Sequence, residues 1–132
     1  MNGIDSETAL IGCLLLEPKA CCNEVFSEIT AEMFFSDECR EIFEVCQKAY
    51  FEKNGAYDIA TISSRLNPEL RTIALRYAET LPSVSNWKLY MNSVKDSYTT
   101  RTVVNRANEM VNAALTTAVS IEDLQEMAEN IL

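Results

Sequence analysis

Cysteine is the most chemically versatile side chain in this sequence, occurring at Cys13, Cys21, Cys22, Cys39 and Cys46. Thiols can ligate zinc, close disulfides or attack carbonyls, but each use needs a spacing or a partner group. Here the number is odd and no Cys-x-x-Cys pair occurs. Most of the five sit where a helical pattern calls for an apolar residue, which predicts free and mostly buried thiols. There is no His at all, which removes the commonest general base, the Ser-His and Cys-His pairs and every His-containing zinc site. Glu38, Glu41 and Glu44 line one helix flank with no cation, His or apolar pocket to tune them for acid-base work. No GxxxxGK[ST], GxGxxG or GxSxG motif is present, so nothing here cradles a nucleotide phosphate or builds a nucleophile elbow. The sequence predicts no cofactor and no metal in this segment, and a chain that is not an enzyme.

The 132 residues suffice for one core, and 48% are apolar. Three Gly and three Pro are too few for a sandwich or barrel with many tight turns, so the fold is expected to be helical. The net charge is -9, and no short window is basic enough for a phosphate-binding patch, which argues against strong direct nucleic acid binding. Residues 1–58 hold 12 acids and 4 bases, residues 59–119 hold 4 acids and 7 bases, and the last 13 residues hold 4 acids and no base. Such polarity suits contact between charged protein faces, and an uneven solvated surface explains it equally well. The longest apolar run, Ala9 to Leu16, is far short of the roughly 20 residues that span a bilayer, and the acidic start does not resemble a signal peptide. A soluble, cytoplasmic protein with no membrane partner is expected.

The elements that would position these side chains can be read from caps and apolar spacing. Asp5 or Ser6 caps a first helix carrying Ala9, Leu10, Cys13, Leu14 and Leu16, and Pro18 both stops it and starts a second with Cys21, Cys22, Val25, Phe26 and Ile29. Thr30 is expected to cap a turn with Met33, Phe34 and Phe35. Ser36 or Asp37 then caps a helix with Cys39, Ile42, Phe43, Cys46, Ala49 and Tyr50 on one face, closed by an Asn54-Gly55 left-handed signal. Asp58 caps Ile59 to Leu66. After Asn67-Pro68, Glu69 opens a helix through Leu70, Ile73, Ala74, Tyr77 and Leu81. With Arg65, Arg71 and Arg76 this pair invites a helix-turn-helix DNA-reading alternative, but its second helix would present Ile73, Ala74, Leu75 and Tyr77, which read as core.

A long helical stretch follows, from a Ser85 or Asn86 cap to about Ala114. Its apolar stripe Trp87, Tyr90, Met91, Val94, Tyr98 runs into Arg101 and Asn105 when extended. A second stripe of Val103, Val104, Ala107, Met110, Val111 and Ala114 begins in a different phase. The poor helix formers of residues 97–102 add to the expectation of a kink or break there. Ser120 with Asp123 caps a final helix bearing Ile121, Leu124, Met127, Ala128, Ile131 and Leu132. The expected fold is all-α: a compact multi-helix globular bundle over residues 1–98, then a C-terminal helical hairpin over 99–132. Two short helices packed only on each other cannot hide both stripes. Val103, Val104, Ala107, Met110, Val111 and Ala114 with Ile121, Leu124, Ala128 and Ile131 are therefore the candidate protein-interaction residues. Folding back onto the preceding helices is the alternative use of those stripes.

The order of elements and several motifs resemble the N-terminal domain of DnaB-type replicative DNA helicases. Glu7-Thr8-Ala9-Leu10-Ile11-Gly12-Cys13-Leu14-Leu15-Leu16 is similar to the family's opening signature, with a Gly where another helix approaches. Arg40-Glu41-Ile42-Phe43, Tyr57-Asp58-Ile59-Ala60-Thr61-Ile62 and Leu81-Pro82-Ser83-Val84-Ser85-Asn86 look like later family motifs, as do Tyr90, Val94-Lys95 and Arg101. The resemblance spans about residues 6–115 and then fits a terminal hairpin. Cys39 replaces the usual His, and Leu66 to Ile73 is shorter and lacks the Gly-Gly often seen before the aromatic now at Tyr77, which marks a divergent member of the kind a phage or mobile element carries.

The resemblance implies a non-catalytic collar module of a primosome. It would pair through its hairpin into dimers, enter a hexamer in the parent helicase, and dock the helicase-binding domain of primase and a helicase loader. ATP and Mg would belong to a motor domain that follows, and an end inside a helix at Leu132 fits a piece of a longer protein. A free-standing helical adaptor or helicase regulator has the same fold. A small helix-turn-helix regulator and a thiol or metal sensor are the alternatives from other classes.

Overall fold

Local signals in the sequence set most helix boundaries in the computed structural model, which describes residues 5–52, 55, 57–116 and 120–131. The helices are α1 (Ser6–Leu16), α2 (Pro18–Glu28), α3 (Asp37–Glu52), α4 (Ile59–Arg65), α5 (Pro68–Glu79), α6 (Trp87–Thr116) and α7 (Ile121–Glu129), with short 3-10 turns at Ala31–Met33 and Val84–Asn86. The fold is all-α, and the described residues include no strand.

Side-chain caps open five of these helices. Asp5 accepts from the Glu7 N–H, Asp58 from Thr61, Asn67 from Leu70 and Ser120 from Asp123, each satisfying a donor that the first turn leaves unpaired. Ser36 Oγ accepts from the Cys39 N–H at the start of α3. Thr30 stands at the cap position of its 3-10 turn but makes no side-chain cap bond. The helix expected to open at Glu69 opens one residue earlier, because Pro68 suits its first turn and Asn67 supplies the cap. It ends at Glu79, short of Leu81. Gly55 has φ +98° and donates to the Tyr50 carbonyl at 2.8 Å, the left-handed conformation that favours glycine. Asn54 and Leu132 lie outside the described residues.

Two compact units divide the chain, Met1–Lys95 and Asp96–Leu132. In the first, α1 is the hub and packs on α2, α3, α4 and α5. Ala9 through Leu15 are all buried, so α1 is apolar on every side, as a central helix must be. Gly12 allows its closest crossing: a Cβ there would stand 3.0 Å from the Tyr77 carbonyl oxygen and 3.4 Å from Leu81 Cβ. Phe34 and Phe43 fill the core with ring centroids 4.9 Å apart.

The junction of α1 and α2 shows what part of the cysteine set does. Pro18 lacks the N–H that would bond the Leu14 carbonyl four residues back, and the Tyr57 hydroxyl donates to that oxygen instead, at 2.8 Å. With its proton committed, Tyr57 Oη accepts from the Cys22 thiol 3.0 Å away. Cys21 donates to the Glu17 carbonyl at 3.4 Å. All five cysteines are free and buried.

Of the kink or break expected in this region, the break is absent. No break interrupts α6 at residues 97–102: the helix runs unbroken from Trp87 to Thr116, although its buried stripe ends with Tyr90, Met91 and Val94. A change of apolar phase therefore marks a change in what the helix faces, while backbone hydrogen bonding carries it through a stretch of modest propensity.

Candidate functional site

The second unit pairs the C-terminal part of α6 with α7. Ser120 starts α7, and at its far end the Arg106 guanidinium donates to the Asn130 carbonyl at 2.7 Å, tying the end of α7 back to α6. An open groove of about 390 Å³ lies between the helices, walled by Met110, Val111, Ala114 and Leu115 from α6 and by Ile121, Leu124, Gln125 and Ala128 from α7. Six of the ten residues singled out from the sequence meet there: Met110, Val111, Ala114, Ile121, Leu124 and Ala128. Val103, Val104, Ala107 and Ile131 do not line the groove. Leu115 and Gln125 do, though they had not been singled out; Leu115 stands one residue from Ala114 and continues the apolar run.

The burial of this unit is unusual for helices so apolar on one side. No described residue of α7 is buried, and the buried residues of α6 end at Val94. Leu115 is 79% exposed, Ile121 76%, and Val104 and Val111 49% each. Val103, Ala107, Met110, Leu124, Met127 and Ile131 are half-buried, while Ala114 and Ala128 are exposed. Such a face gains free energy when covered, at about 25 cal/mol per Å² of apolar area, and a contiguous exposed apolar patch is the ordinary mark of a contact surface.

The first unit offers less to chemistry. Burial raises the Cys13 thiol to about 11 and those of Cys39 and Cys46 to about 12, so these three stay protonated at neutral pH and are poor nucleophiles. Among the described residues no group of three or more His, Cys, Asp or Glu could hold a metal ion. On the helix pair that invited a DNA-reading alternative, the Arg71 guanidinium donates to the Ser63 and Leu66 carbonyls and Arg65 pairs with Glu52 at 2.9 Å. Ala74 is buried and Ile73 and Tyr77 are half-buried, so α5 turns these residues to the core. Leu75, expected among them, is 38% exposed. No described helix is long and apolar enough to cross a membrane.

The sequence profile of the family described as DnaB-like helicase N terminal domain matches residues 1–96. No curated protein matches by sequence. Among solved structures, the crystal structure of the N-terminal domain of DnaB helicase from Mycobacterium tuberculosis is similar, with a TM-score of 0.78 and 14% identity, covering 98% of this chain and 94% of that one. At that identity the likeness speaks for the fold, and it extends over the hairpin that the family profile does not reach.

Proposed function

Because the chain belongs to the DnaB-like helicase N-terminal domain family, we propose that it is a non-catalytic assembly and docking domain of a replicative DNA helicase. In this reading the hairpin joins copies of the chain into dimers, and into a hexameric collar in a parent helicase, while the domain receives the helicase-binding domain of primase during primosome assembly. A helicase loader is a further partner of the same kind. ATP and Mg chemistry falls to a motor domain that would follow, and the setting is the cytoplasm.

The observation that carries this reading is the uncovered apolar face of α6 and α7. Pairing about a two-fold axis places each hairpin against its copy and produces a four-helix contact, which satisfies both stripes with no new element. Net charge -9 supports protein contacts over DNA binding.

The docking half is tested by titrating the chain with the labelled helicase-binding domain of primase from the same genome. A saturable one-to-one complex is expected, and no complex at concentrations in the tens of micromolar contradicts it. A free-standing regulator of such a helicase has the same surfaces, and the presence or absence of a phosphate-loop domain downstream in the gene separates the two.

A further inference from the structure

In the first unit, α3 presents two faces with different fates. Its core face is buried through Cys39, Ile42, Phe43, Cys46 and Ala49. Glu41, Glu44, Val45 and Lys48, at the spacing of one helical stripe, wall an open groove of about 480 Å³. Across from them, the corner where α4 passes into α5 contributes Leu66 and Leu70. Leu66 is buried, and Val45 and Leu70 are half-buried and packed on the core, so the groove has an apolar floor. Its α3 rim runs from two exposed acids to an exposed base, with about 10 Å along the helix axis between Glu41 and Lys48.

The far wall is braced from within. Asn67 accepts from the Leu70 N–H at 2.8 Å, and Pro68 opens α5. The Arg71 guanidinium donates to the Ser63 and Leu66 carbonyls at 2.9 and 3.0 Å. Arg65, which lines the basic end of the groove, is held by Glu52. The α3 rim charges are not spent in this way: no ion pair among the described residues involves Glu41, Glu44 or Lys48, although Glu44 and Lys48 stand one turn apart. Unpaired charges around an apolar floor match the rim and centre of a protein contact, and a wall already fixed loses little freedom when it is covered.

We infer that this groove docks a segment of the domain's protein partner. An aliphatic side chain of the partner covers Val45, Leu66 and Leu70, a Lys or Arg lies against Glu41 and Glu44, and an Asp or Glu lies against Lys48. The inference rests on the docking role proposed above and names the contact within it. Opposite charges at the two ends of the rim fix the direction in which the segment lies.

The experiment is the same titration with the helicase-binding domain of primase, run on the unaltered chain, Glu44→Lys, Lys48→Glu, Val45→Thr and the control Glu79→Lys, which makes the same charge change at the exposed far end of α5. Glu44→Lys is expected to weaken binding about tenfold with melting temperature and helical content unchanged, while Glu79→Lys binds normally. Lys48→Glu, Val45→Thr and added salt are each expected to weaken binding by a smaller factor. Normal binding by Glu44→Lys, equal loss in Glu79→Lys, unchanged or tighter binding by Lys48→Glu, or indifference to both salt and Val45→Thr overturns the inference and leaves the docking role standing. A change in self-association caused by Glu44→Lys assigns the groove to contacts between copies and also overturns it. No binding by the unaltered chain removes the docking role and this contact together.

Discussion

The bundle of residues 5–95 and the hairpin of residues 96–131 use similar helices to opposite ends. Every buried hydrophobic side chain among the described residues lies between Ala9 and Val94. The bundle has a hub helix, α1, covered on all sides. The hairpin has a groove walled by six aliphatic side chains, Met110 and Gln125, with Leu115 and Ile121 more than three-quarters exposed. Amphipathic spacing alone therefore does not say whether a stripe closes a core or seeks a partner; the number of helices available to cover it does.

The largest effects are expected in the bundle. Phe43→Ala removes a fully buried ring and should cost about 3–5 kcal/mol in urea unfolding. Gly12→Val drives new carbon atoms against the Tyr77 carbonyl and Leu81, for a loss of about 1–3 kcal/mol. A cost near zero for either would make the bundle as loosely closed as the hairpin.

Two tyrosines sharpen the point at intermediate size. Tyr57→Phe strands the Leu14 carbonyl, which Pro18 cannot serve, and should cost about 1–3 kcal/mol in the same assay. Tyr90→Phe should be neutral or stabilising, because the Tyr90 hydroxyl is buried with no hydrogen-bond partner among the described residues. Equal losses from both would mean that burial and not hydrogen bonding sets their contribution. Converting all five cysteines to Ala should lower the melting temperature of the bundle and leave the proposed primase binding unaffected in titration, since the thiols are core atoms and helix-junction donors. Loss of binding without loss of stability would favour a thiol-sensing role.

The smallest effect concerns pH. The Thr61 backbone N–H donates to Asp58 and holds its carboxyl below the ordinary range. A group depressed in the folded state stabilises above its unfolded pKa and loses that contribution as pH falls through the lower folded value. Asp58→Asn should therefore flatten the acid limb of the melting temperature slightly. An unchanged limb would show that α4 does not draw on this carboxylate.

Much of the bundle was legible in advance because its signals are local. Asp5 and Asp58 cap as their types and positions suggest, Pro18 divides α1 from α2, and Gly12 marks a helix crossing. What failed depended on tertiary context. The phase change near Ser97 predicts a kink or break, and the break is absent from α6, since the change concerns burial. The Tyr57 bond to Leu14 spans 43 positions and pairs a side chain with a carbonyl, which leaves no periodic trace. On the candidate surface, six of the ten residues read from spacing line the groove. Leu115 and Gln125 were missed because groove membership depends on how α6 and α7 face each other, which a heptad count on either helix does not contain.

Sedimentation of the 132-residue chain over a wide concentration range, beside the double variant Val104→Glu with Val111→Glu, tests the assembly claim most directly. Both valines are half exposed, so the charges need not disturb a core. The account predicts that the unaltered chain gains mass with concentration above the 14.9 kDa monomer, and that the variant stays monomeric with its helical content kept. An unaltered chain that remains monomeric throughout, or a variant that unfolds, would place these stripes in an internal core and contradict the assembly role of the hairpin.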